Sequence, residues 1–409
     1  MRIVTTTMCY PTPDQPDMGV FVQRRAAALA AHYDLRVVSP RPWCPLLRRG
    51  RLCPAQEQPL PVSYPKMFSI PVLGWATDGL AYARALHNEI KRLGRIDLID
   101  AHFEYPDGVG AWLAARRLGI PVVVTLRGKL VSLSRKRFRR AQIRAMLRDA
   151  DGLIAVSASL AALAREVAGR DLPIEVIPNG VDAGVFHRMD KSAARAALGW
   201  ESHRRHVLCV GHYQRLKGFD RLVSVWPQVR EQAGDVRLVL VGSRRGERGF
   251  HEQLRCQVAA GGLGHCVSLL DAVDARTLNL MFNAADLSVN ASRSEGWCNA
   301  IAESLAAGTP VVATDVGGNR EQLHPNHLGL LVPDGDAAAL ASAIVAGLHR
   351  EWDRDRIAAH GQSRGWEQVA LEVAKVFERV VGCRASRGAR PESECLTRQV
   401  TAPQAGAVS

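Results

Sequence analysis

Apolar positions along the 409-residue chain follow two alternating patterns. Short runs rich in β-branched residues are typical of buried strands, and segments with apolar positions three or four apart are typical of amphipathic helices. The strands predicted in the first half are 3–7, 35–39, 98–102, 122–126, 152–156 and 174–177. The helices predicted between them are 20–31, 78–93, 109–118 and 160–168.

The second half of the chain repeats this plan. Its predicted strands are 207–211, 236–241, 267–269, 287–290, 311–314 and 329–332, and its predicted helices include 221–230, 277–283 and 300–307. Such alternation predicts an α/β protein with two parallel, doubly wound, Rossmann-like sheets, each covered by helices on both faces. Because open α/β sheets bind ligands at the carboxyl ends of their strands, we expect the two domains to face each other across a binding cleft.

Turn residues and composition shifts divide the chain into segments. A turn cluster that begins at Pro178 predicts a first domain over 1–178, a linker over 179–200 and a second domain over 201–365. A C-terminal helix is predicted over 366–382, followed by a polar, disordered tail over 383–409. The proline-rich stretch 40–63 predicts a long irregular loop.

The overall charge narrows the choice of partners. The chain has 53 Lys and Arg residues against 40 Asp and Glu, a formal net charge of +13, which favours anionic ligands or surfaces. No apolar run approaches the roughly 20 residues that span a bilayer, and the N-terminus predicts a strand and not a signal peptide. Nine scattered cysteines without a CxxC pair give no zinc site. We therefore expect a cytoplasmic protein without a metal site.

The segment 288–310 combines the features of a phosphate site. A strand runs into a loop, a helix is predicted to begin near Cys298 or Asn299, and Gly308 ends it. Free amides and the positive dipole at that helix start can hold a diphosphate. Glu295 before the helix and Glu303 within it can reach opposite ends of one nucleotide sugar through charge-assisted hydrogen bonds. The alternative for each glutamate is an ordinary solvated carboxylate.

These motifs resemble a known family. The segment from Glu295 to Glu303, followed by 308–318, resembles the E-x7-E region of retaining family 4 glycosyltransferases of GT-B fold. The segments 176–182 and 210–218 resemble the domain linker and the donor-phosphate loop of that family, and the resemblance extends over roughly residues 1–381. It implies a UDP- or GDP-linked sugar donor, no further cofactor, and a leaving diphosphate that helps to deprotonate the acceptor hydroxyl.

The resemblance also assigns roles on the donor side. Glu295 would bind the transferred sugar as a catalytic residue, Glu303 the ribose, and Lys217 would neutralise the diphosphate. The backbone that would hold the diphosphate belongs to Gly296, Trp297, Cys298 and Asn299. The sequence departs from the family twice, because His212 stands where many relatives have a phosphate-binding Arg, and Trp297 where many have a second Gly.

In the first domain, the resemblance places the loop of Gly19 near the donor phosphates, across the cleft. His102, at the predicted end of a strand, is a candidate for proton handling near neutral pH, with a structural histidine as the alternative. Arg127 stands where many members have a His; it can hold a phosphate or an acidic sugar but cannot act as a general base. The segments 102–108 and 122–128 are similar to teichuronic acid and related members that form bacterial polysaccharides. They imply transfer of a hexose-type sugar to a glycan or lipid-linked acceptor in surface polysaccharide synthesis.

Basic residues are concentrated in 122–148, a segment without Asp or Glu. Four of them, which we call the basic stripe, share one helical face at i, i+4 spacing: Lys136, Arg140, Arg144 and Arg148. Ile143, Met146 and Leu147 are predicted to point inward. A solvated face is the usual explanation for such a run. Our hypothesis is a surface that meets anionic lipids or a pyrophosphate-lipid acceptor at the inner face of the cell membrane.

Other functions have weaker support in the sequence. A nucleotide-sugar epimerase and a basic polyanion-binding scaffold with little or no catalysis both remain alternatives. Aromatic residues are only 6% and are not interleaved with the basic run, which disfavours nucleic-acid binding. Neither D-x-D motif, at 334–336 or 353–355, predicts a metal site, and Asp336 is expected to cap a helix. The absence of P-loop, G-x-G-x-x-G and G-x-S-x-G motifs argues against an NTPase, a dehydrogenase and a serine hydrolase.

Overall fold

The computed structural model describes residues 1–44, 60–69, 77–133 and 137–388. Its strands are β1 (Arg2–Thr6), β2 (Asp34–Val38), β3 (Arg41–Trp43), β4 (Val62–Ser63), β5 (Lys66–Phe68), β6 (Leu98–His102), β7 (Val122–Leu126), β8 (Gly152–Ala155), β9 (Ile174–Val176), β10 (Arg205–Val210), β11 (Val236–Gly242), β12 (Val267–Asp271), β13 (Leu287–Asn290), β14 (Val311–Thr314) and β15 (Gly329–Val332). Its helices are α1 (Val20–Ala30), α2 (Asp78–Leu93), α3 (Val109–Leu118), α4 (Leu130–Leu133), α5 (Arg137–Asp149), α6 (Ala158–Ala168), α7 (Lys191–Leu198), α8 (Phe219–Ala233), α9 (Phe250–Ala260), α10 (Ala275–Ala284), α11 (Asn299–Ala306), α12 (Asn319–Gln322), α13 (Ala337–His349), α14 (Arg354–Gln362) and α15 (Trp366–Gly388).

Two parallel sheets organise the part of the chain that the structure describes. The first has the strand order β4-β2-β1-β6-β7-β8-β9, and the second has the order β12-β11-β10-β13-β14-β15. In both sheets the chain starts in the middle, builds outward to one edge and then returns to build the other half. This is the doubly wound arrangement that the alternating pattern predicts, so the predicted fold class is confirmed.

The return point of each sheet fixes where a ligand can bind. In the second sheet, β10 and β13 are parallel neighbours. The chain builds toward one edge of the sheet from β10 and toward the other edge from β13, so the carboxyl ends of these two strands open a crevice. The loop after β10 carries Lys217, and the loop after β13 carries Glu295. The strand order therefore brings together two side chains that are far apart in the sequence.

The last helix belongs structurally to the first domain. Helix α15 packs against α1 and covers one face of the first sheet, where Val373 and Phe377 are completely buried. The other face is covered by a core that includes Ile143 and Met146 from α5, so these two residues point inward as predicted. Because the chain returns to its first domain, the two domains are tied together at two points in the sequence.

Two predicted segments need correction. The stretch 40–63 is not irregular throughout, because β3 pairs with β5 and β4 pairs with β2; residues 45–59 of that stretch lie outside the described residues. The C-terminal helix continues to Gly388, so its predicted end at 382 is wrong and residues 383–388 of the predicted tail are helical. Residues 389–409 of that tail lie outside the described residues. The other predicted elements differ from the observed ones only at their ends.

Among the residues that the structure describes, no helix combines the length and the apolar character that crossing a bilayer requires.

Candidate active site

Lys217 and Glu295 form an ion pair at the return point of the second sheet. The lysine Nζ lies 2.7 Å from the Glu295 Oε1 atom, and the two side chains are 22% and 8% exposed. The hydroxyl of Ser292 donates to the same carboxylate oxygen at 2.7 Å, and the amide of Asn290 donates at 3.4 Å. The donor-side residues predicted from the sequence are therefore in direct contact.

The environment of Glu295 keeps it ionised. Burial alone would raise its pKa, but the Lys217 ammonium and the hydrogen bonds from Ser292 and Asn290 outweigh burial and lower the pKa below its usual range. Burial alone would lower the pKa of Lys217, but the Glu295 carboxylate outweighs burial and raises that pKa. Both groups are thus charged at neutral pH, which suits contacts to sugar hydroxyls and to phosphate.

The start of α11 is arranged as an anion site. The helix begins at Asn299, as predicted, and among the described residues no side chain caps its first amides. In the orientation of the Gln322 side-chain amide that matches donors with acceptors, its nitrogen donates to the Cys298 carbonyl oxygen at 2.9 Å. Its oxygen accepts from the Cys298 backbone amide at 3.0 Å. The Cys298 thiol accepts from Asn290 at 3.0 Å. Cys298 is thus held in place while the next amides of α11 stay available to a ligand.

Glu303 lies within α11, partly buried and facing the first domain. Among the described residues, no donor forms a hydrogen bond with its carboxylate. Burial raises its pKa to about 7, and the nearby Arg24 of α1 opposes that rise. An acceptor group left without a partner in this position is suited to a ligand diol.

Two glycines allow the domains to touch beside the helix start. Gly128 has φ +106°, and a Cβ added there would lie 2.8 Å from the backbone of Gly296. A Cβ on Gly296 would lie 2.6 Å from the carbonyl oxygen of Arg127. Since real side chains do not tolerate such distances, glycine at both positions permits the contact. Trp297, next in the chain, packs against the core of the first domain.

The remaining donor-side candidates, His212 and Gly19, lie in the loops that follow β10 and β1. The His212 side chain is 45% exposed, and its Nδ1 lies 3.9 Å from the Asp17 carboxylate of the first domain. Partial burial lowers the pKa of His212, although Asp17 raises it. Gly19 starts α1 with φ +74°, and a Cβ there would lie 2.1 Å from the Cys9 carbonyl oxygen. Local packing thus explains Gly19, while its predicted donor contact stays a prediction.

His102 does not reach the cleft. Its side chain is completely buried, with Nε2 3.1 Å from Asp100 and Nδ1 accepting from Arg127 Nε at 3.0 Å. Burial, together with the charges of Arg25 and Arg127, lowers the pKa of His102 to about 3. Of the two interpretations given for this residue, burial and these partners favour the structural histidine over proton handling in the cleft. His102 instead supports Arg127 from behind.

Arg127 connects the two domains through side chains that the sequence analysis missed. Its Nη1 donates to Asn179 Oδ1 at 2.7 Å, and Asn179 Nδ2 donates to Asn299 Oδ1 at 2.9 Å. The guanidinium also lies over the ring of Phe21, 4.9 Å from its centroid. Asn179 belongs to the turn cluster at 178–182, where its sequence context indicates only a linker turn.

The predicted basic stripe lies away from this site, on α5. Arg140, Arg144 and Arg148 are exposed, whereas Lys136 lies outside the described residues. The Nε atoms of Arg144 and Arg148 both donate to the carbonyl of Ala168, at 3.2 and 2.7 Å, and so help to end α6. Two members of the stripe therefore have a structural role in addition to their charge.

One aspartate of each D-x-D motif has a structural role. Asp336 accepts from the Ala339 amide and caps α13, as predicted, and Asp353 caps α14. Within the described ranges, no group of three or more His, Cys, Asp or Glu side chains is placed to hold a metal ion.

Comparison with known proteins agrees with this fold. A family model described as Glycosyltransferase Family 4 matches residues 18–185, and one described as Glycosyl transferases group 1 matches residues 204–350. The chain is 32% identical over 305 residues to a D-inositol 3-phosphate glycosyltransferase of Arthrobacter sp. (strain FB24), covering 70% of this chain and 72% of that protein. It is 32% identical over 310 residues to a phosphatidyl-myo-inositol mannosyltransferase of Mycobacterium leprae, covering 74% and 79%.

A third relative bears on the predicted subgroup. The chain is 29% identical over 373 residues to TuaC of Bacillus subtilis, named for teichuronic acid biosynthesis, with 86% of this chain and 90% of that protein covered. The similarity to teichuronic acid-type members is thereby confirmed.

Solved structures show the same architecture. Sucrose-phosphate synthase from Thermosynechococcus elongatus superposes with a TM-score of 0.78 at 22% identity, covering 93% of this chain and 99% of that one. Anabaena HepE in complex with UDP-glucose superposes with a TM-score of 0.69 at 20% identity, covering 94% and 100%. The fold and the site thus define a glycosyltransferase of GT-B fold. The chain belongs to family 4 of these enzymes.

Proposed function

We propose that this glycosyltransferase moves a hexose-type sugar, with retention of anomeric configuration, from a UDP- or GDP-linked donor to a glycan or lipid-linked acceptor. The observation that carries the proposal is the Lys217–Glu295 pair beside the uncapped start of α11. Glu303, whose carboxylate accepts no hydrogen bond from the described residues, completes the donor site. Retention rests on the family resemblance.

Each donor contact follows from the chemistry of one group. Glu303 accepts the ribose hydroxyls, the first amides of α11 bind the diphosphate, and Glu295 binds hydroxyls of the sugar. The bond between the anomeric carbon and the diphosphate oxygen breaks, and the acceptor oxygen bonds to that carbon on the same face. The acceptor proton passes to the leaving diphosphate, whose growing charge Lys217 stabilises.

The net charge of the chain and the names of its relatives support the proposed class of acceptor. The formal charge of +13 favours an anionic or lipid-linked acceptor. Two relatives are named for inositol 3-phosphate and for phosphatidyl-myo-inositol, and a third for teichuronic acid. We therefore place the reaction in bacterial surface polysaccharide synthesis.

We also propose that α5 attaches the protein peripherally to the inner face of the cell membrane. Phe138, beside the exposed Arg137 and Arg140, is itself 66% exposed. An exposed aromatic ring among cations is suited to an anionic lipid surface. Arg137→Glu with Arg140→Glu should abolish co-sedimentation with vesicles of anionic lipids. Arg255→Glu with Arg276→Glu, which changes the net charge equally on other exposed helices, is the control; equal loss in both would reject α5 as the contact surface.

The donor site is tested by thermal stabilisation. UDP, GDP, ADP and their sugars are added to the purified protein with EDTA present, because we propose that the reaction needs no metal. Selective stabilisation by one nucleotide, lost in Glu303→Ala, supports the proposal and identifies the base. Turnover of a nucleotide sugar without an acceptor would instead indicate an epimerase, and stabilisation by no nucleotide would favour a polyanion-binding scaffold.

A further inference from the structure

Arg127 is a buried cation without a carboxylate partner. Its side chain belongs to a residue only 9% exposed, and no carboxylate of the described residues lies within 4.0 Å of the guanidinium. The Nη2 atom is buried and has no hydrogen-bond partner among those residues. A buried charge with an unsatisfied donor is costly unless a ligand supplies the missing oxygen.

The surrounding side chains fix the orientation of this guanidinium. Nε donates to His102 and Nη1 to Asn179, while the ring of Phe21 supports the plane from one side. Since His102 Nδ1 accepts from Arg127, its proton must reside on Nε2, which donates to Asp100. Asp100 is held in turn by Arg25 at 2.5 Å and by Thr5 at 3.0 Å. Two of the three guanidinium nitrogens are thus occupied, and Nη2 is left.

The guanidinium is connected to the donor site by side-chain hydrogen bonds. Asn179 links it to Asn299, the first residue of α11. The Arg127 backbone also contacts Gly296, which leads into the same helix start. The side chain that carries the unsatisfied Nη2 is thus joined, through Asn179 alone, to the residue at which α11 begins.

The two second-domain residues expected at the diphosphate, Lys217 and His212, offer little unpaired positive charge. Lys217 is already paired with Glu295, and His212, whose pKa is lowered by burial, carries no fixed charge at neutral pH. A nucleoside diphosphate brings at least two negative charges. A cation contributed by the first domain balances part of this charge.

We propose that Nη2 of Arg127 binds an anionic phosphate oxygen in the cleft, so that the diphosphate site is completed from the first domain, and that His102 is a positioning residue for Arg127. The inference rests on the proposed function, in which a nucleotide sugar occupies this cleft. The anionic oxygen belongs to the donor diphosphate or to an anionic group of the acceptor, and the experiment separates these two sources.

The experiment measures binding by calorimetry in wild type, Arg127→Gln, Arg127→Lys and the matched surface control Arg255→Gln. The probes are UDP or GDP, whichever binds, and inorganic pyrophosphate. Arg127→Gln is expected to weaken both probes by roughly 10- to 100-fold, the effect of losing a charged hydrogen bond. Arg127→Lys keeps the charge but not the planar guanidinium, so its affinities are expected to lie between those of wild type and Arg127→Gln. The affinities of Arg255→Gln are expected to match wild type.

Each outcome decides one part of the inference. Weaker pyrophosphate and nucleotide binding assigns the oxygen to the donor. Unchanged nucleotide binding with at least a tenfold higher KM for D-inositol 3-phosphate, used as an anionic acceptor probe, assigns it to the acceptor. Unchanged affinity for all probes in Arg127→Gln overturns the proposal. If wild type binds pyrophosphate but no nucleotide, the proposed function fails while the anion site survives.

The role of His102 is tested by a pair of substitutions. Gln at this position can accept from Arg127 and donate to Asp100, whereas Leu can do neither. His102→Gln is expected to retain pyrophosphate affinity and His102→Leu to lose roughly tenfold. Equal affinity in both, with only a lower Tm in His102→Leu, would show that His102 is merely structural.

Discussion

The ammonium of Lys217 lies 2.7 Å from the Glu295 carboxylate, although the two residues are expected to contact different parts of the donor. Each therefore neutralises the other until a ligand arrives. A nucleotide sugar must share or replace this contact, because the diphosphate competes for the lysine and the sugar hydroxyls compete for the glutamate. The pairing thus offsets part of the desolvation cost of keeping two charged groups in a largely buried site.

The first prediction concerns this pair. Lys217→Met should lower kcat by about 10²- to 10³-fold, because the leaving diphosphate loses its nearest cation. It should also destabilise the fold, since Glu295 would stay buried without its partner. Glu295→Gln with Lys217→Met should be less destabilised than the sum of the single variants, as measured by urea unfolding.

Lys217→Arg is the control for charge alone. It should retain more activity than Lys217→Met while keeping most of the stability. Strictly additive free energies of unfolding would mean that the two residues do not stabilise each other in solution.

The second prediction uses the pH dependence of Glu303. Burial raises its pKa to about 7, so the carboxylate that would bind the ribose is lost as the pH falls below that value. Affinity for a nucleotide sugar, whose diphosphate diester does not titrate in this range, should fall roughly tenfold between pH 8 and pH 6. Isothermal calorimetry at the two pH values measures this change.

The raised pKa of Glu303 affects stability in the opposite direction from ligand affinity, because stability decreases as the pH rises. The folded protein keeps a proton on Glu303 that the unfolded chain has released, so this contribution is present below the unfolded pKa of roughly 4.3 and is lost as the pH rises through about 7. Glu303→Gln should therefore bind weakly with little pH dependence, and should lose less stability than wild type between pH 5 and 8. A wild-type affinity independent of pH would contradict the assignment.

Local sequence patterns were sufficient to predict most strands of the two large sheets and helix α11. Strands β6, β7 and β13 have the predicted bounds because each is a short buried run between turn residues. Helix α11 lies within one residue of its predicted bounds, since its glycine stop and its apolar spacing are both local signals. Strands β3, β4 and β5 were missed because two or three residues carry no period and their pairing depends on partners elsewhere.

Contacts between distant residues were harder to predict. The sequence placed His102 correctly at a strand end but not its burial. After β6 the chain forms a helical turn, where Glu104 binds the amides of Arg127 and Gly128 and covers the strand end. Similarly, Asn179 has the properties of a turn residue, and only the arrangement of the domains makes it a bridge to Asn299.

The third prediction concerns the buried pair of Asp100 and Arg25. Their side chains are 0% and 3% exposed and lie 2.5 Å apart. Asp100→Asn should cost about 3–5 kcal/mol of unfolding free energy, because Arg25 is left buried without its counter-charge. Arg25→Met with Asp100→Leu should cost less than Asp100→Asn alone, measured by urea denaturation.

An exposed pair provides the comparison for that result. Arg255 and Glu252 are 63% and 65% exposed, so Arg255→Met should change stability little. An Asp100→Asn variant as stable as Arg255→Met would mean that water reaches the pair in solution.

The fourth prediction concerns a contact that joins the two domains. Glu321 of α12 accepts from the backbone amides of Ala158 and Ser159, at 2.8 and 3.0 Å, and so caps α6 from the opposite domain. Glu321→Ala should remove a cap worth about 0.5–2 kcal/mol and favour a more open arrangement. Small-angle scattering should then give a larger radius of gyration than wild type, and the fluorescence of Trp297, which packs against the first domain, should shift to the red.

Nucleotide binding and a conservative substitution separate domain opening from local damage. Glu321→Gln keeps one acceptor oxygen and should lie between wild type and Glu321→Ala in both readouts. A saturating nucleotide, which contacts both walls of the cleft in the proposed complex, should reduce the difference in radius because binding energy offsets the lost cap. A lower Tm without any change in radius or fluorescence would show that Glu321 stabilises α6 but does not hold the domains together.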